Sequence, residues 1–265
     1  DPGAAEQLLD EAEDLTKKAD DPIGLAWVEW HRAWLSFITG DIPQAEARLV
    51  RAAETMTFLG DRGGMGWVNG LLAYVRLYQG RSEEAATLAD SVLTEARDRG
   101  DEWAAGMMRA LQANLRLWQG RTEEAWKLAD TARQRFRRTS DGFGELQALA
   151  PLARANAALG KAPASSRVIE EMHTLGETHR MLGFVALTEA TTAAQLGESE
   201  RAIRCAGVAE EQARESRAFI AEALISKALG LVPAGAGGSP PTLPPLDPHY
   251  VDAAMRAAAK GVWTF

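Results

Sequence analysis

Five glycines constrain this chain more than anything else in it. Gly40, Gly80, Gly120 and Gly160 stand 40 residues apart, and Gly197 follows 37 later. Two of them sit in near-identical phrases, LYQGRSEEA (77–85) and LWQGRTEEA (117–125). The phrase weakens but keeps its register in FITGDIPQA (37–45), AALGKAPAS (157–165) and AQLGESERA (194–202). Small residues recur in step. Ala33, Ala73, Ala113, Ala153 and Ala190 each precede a turn glycine by seven residues. Ala45, Ala85, Ala125, Ser165 and Ala202 each follow one by five. Asp21, Asp61, Asp101 and Asp141 mark a second turn at the same 40-residue interval. Self-similarity of this length is the signature of a repeat architecture.

Each repeat predicts two helices. In EEAATLADSVLTEARDR (83–99), Ala85, Leu88, Ala89, Val92, Leu93 and Ala96 form one apolar stripe of helical period. Ser82 and Thr122 are the expected N-caps, with Glu84 and Glu124 favoured in the first turn by the positive helix end. Gly100 and Asp101 break the chain, and the next helix, about 102–119, stops at Gly120, where a left-handed residue is natural. The alanines follow from geometry, because two helices approach closely only where side chains are small. No segment alternates like a strand, so the expected fold class is all-α.

The small residue seven before the turn glycine, the glycine itself and the alanine five after it resemble the tetratricopeptide (TPR) repeat family. Ala89, Ala129 and Ala206 continue the pattern four residues on. The resemblance implies a right-handed α-solenoid of about six TPR-like hairpins. The period departs from the family, being near 40 rather than about 34. The aromatic expected four before the glycine is also missing, replaced by Ser36, Arg76, Arg116, Asn156 and Ala193. Ala- and Arg-rich phrases such as QGRTEEAWKLAD are similar to the long-helix TPR-like regions of large bacterial, actinobacterial-looking transcriptional activators of the LuxR and antibiotic-regulatory types.

The register also predicts boundaries. The repeat array runs over 1–231 and starts in mid-repeat: Ala5 aligns with Ala45, so the helix at about 4–19 is a second helix without its first. The expectation is a fragment of a longer polypeptide. Ala223 and Gly230 repeat the seven-residue offset, which makes 217–229 a sixth first helix. The stretch 232–248, VPAGAGGSPPTLPPLDP, holds six of the eleven prolines and reads as a linker. The segment 249–265 reads as a capping helix and tail, or as a helix that leads toward a downstream domain.

Composition narrows the class further. The chain has 265 residues, 46% of them apolar and 25% charged, and a net charge of −8. That is too apolar for a disordered chain. One cysteine excludes a disulfide framework and cysteine-rich zinc modules. The acidic balance argues against direct nucleic-acid binding, which needs phosphate-neutralising cations. No basic-then-apolar start and no long apolar run is present, so neither a signal peptide nor a membrane span is expected. A reducing, cytoplasmic setting fits. The first 40 residues carry net −6, whereas Arg133, Arg135, Arg137 and Arg138 form a basic run that reads as a solvated face or a dock for an acidic partner or a phosphate.

Catalytic signals are weak. His31, His173, His179 and His249 lack metal-ligand spacing, and Cys205 lies in an apolar stripe, so no metal, cofactor or enzyme activity is expected. Gly63, Gly64 and Gly66 in DRGGMGW lack the lysine and the preceding strand of a phosphate loop and read as a flexible helix start. The paired carboxylates sit in first turns or on exposed faces.

The tryptophans are the sharpest signal. Eight Trp stand against three Tyr, and Trp27, Trp30 and Trp34 share one face of helix 23–39. The TPR resemblance implies that first helices line a concave groove, with offsets thirteen, ten and six before the turn glycine facing it. Those offsets select Trp27, Trp30 and Trp34, then Trp67, Gly70 and Tyr74, then Met107, Ala110 and Asn114, then Gln147, Ala150 and Arg154, of which Trp27, Trp30, Trp34, Trp67, Tyr74, Met107, Asn114 and Arg154 are the candidate groove residues. Two functions suit such a wall. One is a non-catalytic interaction and regulatory module that binds a protein or peptide segment, or a neighbouring domain of the same polypeptide. The other is a sensor that closes on a small-molecule effector. The competing reading is that the rings only fill space between long helices.

Overall fold

The computed structural model describes residues 2–216. Over this span the chain folds into eleven α-helices with no strand: α1 (Pro2–Lys18), α2 (Pro22–Ile38), α3 (Ile42–Leu59), α4 (Arg62–Tyr78), α5 (Ser82–Arg99), α6 (Glu102–Trp118), α7 (Thr122–Arg138), α8 (Gly142–Ala158), α9 (Ala162–His179), α10 (Leu182–Gln195) and α11 (Ser199–Ser216). The expected helix at 217–229, the linker at 232–248 and the capping segment at 249–265 lie outside the described residues.

Every helix packs on the next, and the even-numbered helices also pack side by side from α2 to α10. The result is a helical repeat stack. The even row is the more closely spaced of the two, which makes it the inner side of the curve.

The turns explain how the chain reverses twice per repeat. Gly40, Gly60, Gly80, Gly100, Gly120, Gly160 and Gly197 adopt the left-handed conformation, with φ between 70° and 88°. At three further turns the same conformation is carried by Asp20, Ser140 and Arg180, with φ of 53° to 56°. Asp21, Asp61, Asp101 and Asp141 then cap the even helices, each accepting from the backbone N–H three residues on at 2.9 Å. The caps expected at Ser82 and Thr122 are corrected by the structure. Both residues lie inside the first turn, and the cap positions are held by Arg81 and Arg121 without a side-chain cap bond. These arginines instead reach Glu84 and Glu124 one turn on, which leaves no capping role for the hydroxyls.

The two small-residue series meet inside each hairpin. Ala33, Ala73, Ala113, Ala153 and Ala190 are fully buried, as are Ala45, Ala85, Ala125 and Ser165, and Ala202 is 1% exposed. Ser165 shows the closeness directly, since its hydroxyl donates to the Ala153 carbonyl at 3.0 Å. Larger side chains at these heights would push the helices apart.

Two of the three glycines of DRGGMGW are packing sites and not a flexible start, while Gly63 is exposed. Gly64 and Gly66 are buried inside α4, where a Cβ would meet the Met56 sulfur at 2.5 Å and the Arg99 guanidinium at 2.6 Å. Here glycine lets α4 approach α3 and α5.

Candidate functional site: the aromatic inner wall

The structure brings Trp27, Trp30, Trp34 and Trp67 together. Trp30 lies edge-to-face on Trp67 with centroids 5.4 Å apart, and its indole N–H donates to the Trp67 carbonyl at 3.1 Å. Trp27 meets Trp67 edgewise at 6.2 Å, and Trp34 lies parallel to Trp30 at 6.4 Å. Arrangements of this kind are favoured by the ring quadrupoles. All four rings stay half-buried.

Two further rings extend the wall. Trp103 of α6 stacks on Trp67 with centroids 4.5 Å apart and planes 16° apart. Phe143 of α8 meets Trp34 edgewise at 6.1 Å. The ladder therefore runs from Trp103 of α6 through Trp67 of α4 to the tryptophans of α2, and from Trp34 of α2 on to Phe143 of α8. A signal for both residues exists in the sequence. Each stands seventeen before its turn glycine, one helical turn upstream of offset thirteen. Phe37 adds a second branch, lying 4.8 Å from Tyr78 and 6.4 Å from Tyr74.

The other expected groove residues behave differently. The Tyr74 hydroxyl donates to the Met107 carbonyl at 3.1 Å, and burial pushes this phenol well above its ordinary pKa. Met107 is 4% exposed and belongs to the core between α4 and α6. Arg154 is 2% exposed, and its Nε donates to Thr191 at 3.2 Å, tying α8 to α10. Neither offers surface to a partner. Asn114 is half-buried; its amide nitrogen reaches the Ala110 carbonyl at 3.4 Å, while its shielded Oδ1 accepts no hydrogen bond.

Three arginines of the run on α7 are engaged within the chain, while Arg138 is exposed. Arg133 bonds Asp130 and Glu171, Arg135 pairs with Glu102, and Arg137 spans Glu145 and Glu171. One helix thereby clasps α6, α8 and α9. Glu145 is buried, which pushes its carboxyl pKa up; Arg137 opposes that shift, and the Glu171 carboxylate, to which the protonated Glu145 carboxyl donates, adds to it.

A similar joint closes the far end. Glu189 of α10 is bonded by His173 at 2.7 Å and by Arg201 at 2.8 Å. Burial alone would raise its pKa, but these two partners outweigh burial and hold it below the ordinary value. Cys205 is half-buried, and burial pushes its thiol up to about 11, away from nucleophilic use. Among the described residues no three His, Cys, Asp or Glu side chains group to hold a metal ion, and no helix is long and apolar enough to cross a membrane.

No protein-family model matches the chain, and no curated protein matches it either.

Proposed function

We propose that the chain is a non-catalytic protein-interaction and regulatory module. In this reading it is a right-handed TPR-like solenoid of about six hairpins, part of a cytoplasmic bacterial transcriptional regulator of the LuxR or antibiotic-regulatory type. A partner segment lies across the inner face of the even helices. One observation carries this: Trp27, Trp30, Trp34, Trp67, Trp103 and Phe143 form one continuous ladder whose rings hold each other in place while staying half-exposed. Rigid aromatic anchors bind with little loss of conformational freedom. Because the rings pack on one another, the wall is a filled floor that suits a segment laid over it.

Peptide display against the chain tests the reading. Selected peptides should lose at least tenfold affinity on Trp67→Ala, with the helical circular dichroism unchanged. Peptides that bind that variant equally well refute the role of the wall. A second reading, an effector sensor on the same wall, rests on Asn114, whose Oδ1 is shielded from water without a donor. A metabolite that raises the melting temperature, quenches tryptophan fluorescence and loses both effects on Asn114→Ala would favour it.

A further inference from the structure

Arg109 of α6 is a buried cation without an acid. It is 8% exposed, its Nη1 donates to the Ala105 carbonyl at 3.0 Å, and it pairs with no carboxylate among the described residues. The repeat does not require an arginine there. Glu29, Asn69, Leu149 and Ala186 stand at the same height, eleven before their turn glycines. Where that height carries a charge in α2, the next helix answers it: Arg48 and Arg51 of α3 pair with Glu29 at 3.5 and 2.9 Å. The counterparts of those two arginines in α7 are Leu128 and Thr131, which leave Arg109 unanswered. A buried charge without a counter-charge is costly.

Two more arginines converge on it. Helix α6 runs antiparallel to α5 and α7 and floors the furrow between them on the outer side of the stack. Side chains tilt towards the N-terminus of their own helix. Arg97 and Arg135, near the C-terminal ends of α5 and α7, therefore lean back along the furrow, and Arg109, two turns into α6, leans the opposite way to meet them. Burial lowers the Arg109 pKa, the Arg135 and Arg97 charges lower it further, and Glu102 eases the shift. Arg97 is exposed and pairs with no carboxylate among the described residues. Arg135 meets Glu102 through Nη1, whereas its shielded Nε has no acceptor. Asp90, an acid higher on α5, accepts from Gln112 at 2.6 Å. Three guanidiniums against the Glu102 carboxylate leave two positive charges at this point, in a chain whose net charge is −8. The furrow lies in the middle of the described stack, with α3 and α4 before it and α8 and α9 after it, so its arrangement does not depend on where the chain begins or ends.

We propose that Arg97, Arg109 and Arg135 form a binding site for a phosphate dianion, either free or as the monoester of a small molecule. Guanidinium forks match phosphate oxygens in geometry as well as in charge. A phosphate monoester carries about −1.5 to −2 at neutral pH, which is the charge this point lacks. A carboxylate supplies only about half of it. The site lies on the outer side of the stack and does not depend on the reading of the aromatic wall.

The probe is inorganic phosphate, titrated calorimetrically into the full chain at an ionic strength held constant with chloride. Saturable binding at a single site is expected, weakened at least about tenfold by Arg109→Gln and about threefold by Arg97→Gln. Arg109→Gln removes an unpaired buried charge, so the native circular dichroism should be kept. Should that variant fail to fold, Arg97→Gln decides alone, because its side chain is exposed. Arg204→Gln removes an equal charge from an exposed position of α11 and should leave binding unchanged, as should Trp67→Ala. Glycerol 3-phosphate separates the two sources. Tighter binding of the ester marks an esterified phosphate as the ligand, and tighter binding of the inorganic ion marks free phosphate. Absence of saturable binding, binding indifferent to both Arg97 and Arg109, or an equal loss on Arg204→Gln overturns the proposal. Acetate that binds as tightly as phosphate overturns the choice of a dianion.

Discussion

Phe136 offers a test of how this stack is held together. The ring is 1% exposed and lies between α6 and α8. A Cβ on Gly106 would stand 2.5 Å from its Cζ, and a Cβ on Gly144 would collide with the ring from the other side. The ring cannot escape one clash without meeting the other helix. Gly106→Ala should gain about 1 kcal/mol from helix propensity. Overpacking a confined core costs about 1–3 kcal/mol. Steric cost wins here because the ring is gripped on both faces, so the substitution destabilises by about 1–2 kcal/mol. Phe136→Ala alone costs about 3–5 kcal/mol through lost burial and the cavity it leaves. In that background the clash is gone, and Gly106→Ala becomes stabilising by about 1 kcal/mol. The effect of one methyl group therefore changes sign, a coupling of about 2–3 kcal/mol between neighbours. Urea unfolding followed by circular dichroism measures it, with amide exchange over α6–α8 as the local readout, because stacked repeats do not have to unfold together. If Gly106→Ala has the same sign and size in both backgrounds, propensity alone is acting and the packing argument fails.

Three further outcomes are expected. Arg180 holds a left-handed conformation with φ 56°, so Arg180→Gly should stabilise by about 1 kcal/mol in thermal unfolding; a loss of stability would show that the side chain contributes more than its backbone strain costs. Tyr74→Phe removes the bond to the Met107 carbonyl and should cost about 1 kcal/mol, read as a lower urea midpoint with an unchanged slope. Glu189 has a lowered folded-state pKa, so its contribution is present above the ordinary carboxylate value and fades as pH falls through the lowered one. Glu189→Gln should accordingly destabilise the α10–α11 end at neutral pH, and the difference from the parent chain should shrink in acid; a gap that stays constant from pH 7 to pH 3 would exclude the ion-pair explanation.

Much of the wall could be read in advance, but not all of it. Trp27, Trp30 and Trp34 share a face because helical period places them there, and the 40-residue repeat sets Trp67 in register with Trp27; both periods are visible in letters. Trp103 and Phe143 carry the same signal one turn upstream, yet nothing in their own repeats says that rings from other repeats will meet them. Met107 and Arg154 share the inward register and are nonetheless buried, because neighbouring even helices close over them. Offset predicts direction; the spacing of the row decides exposure.

By itself the sequence determined the parts that are local and repeated. These are the all-helical fold, the helix-breaking turns at Gly40, Gly80, Gly120, Gly160 and Gly197, and the paired small residues that let each hairpin close. They follow from backbone conformation and side-chain volume at a single height, which each repeat specifies on its own. Only the tertiary structure decided what lies between repeats. The α7 arginines became a clasp because carboxylates from α6, α8 and α9 converge on them. Trp34 met Phe143 three repeats away because small rotations from hairpin to hairpin add up until α2 and α8 face each other across the curve. No pattern within one repeat encodes that sum, since it depends on the packing angle at every junction along the stack.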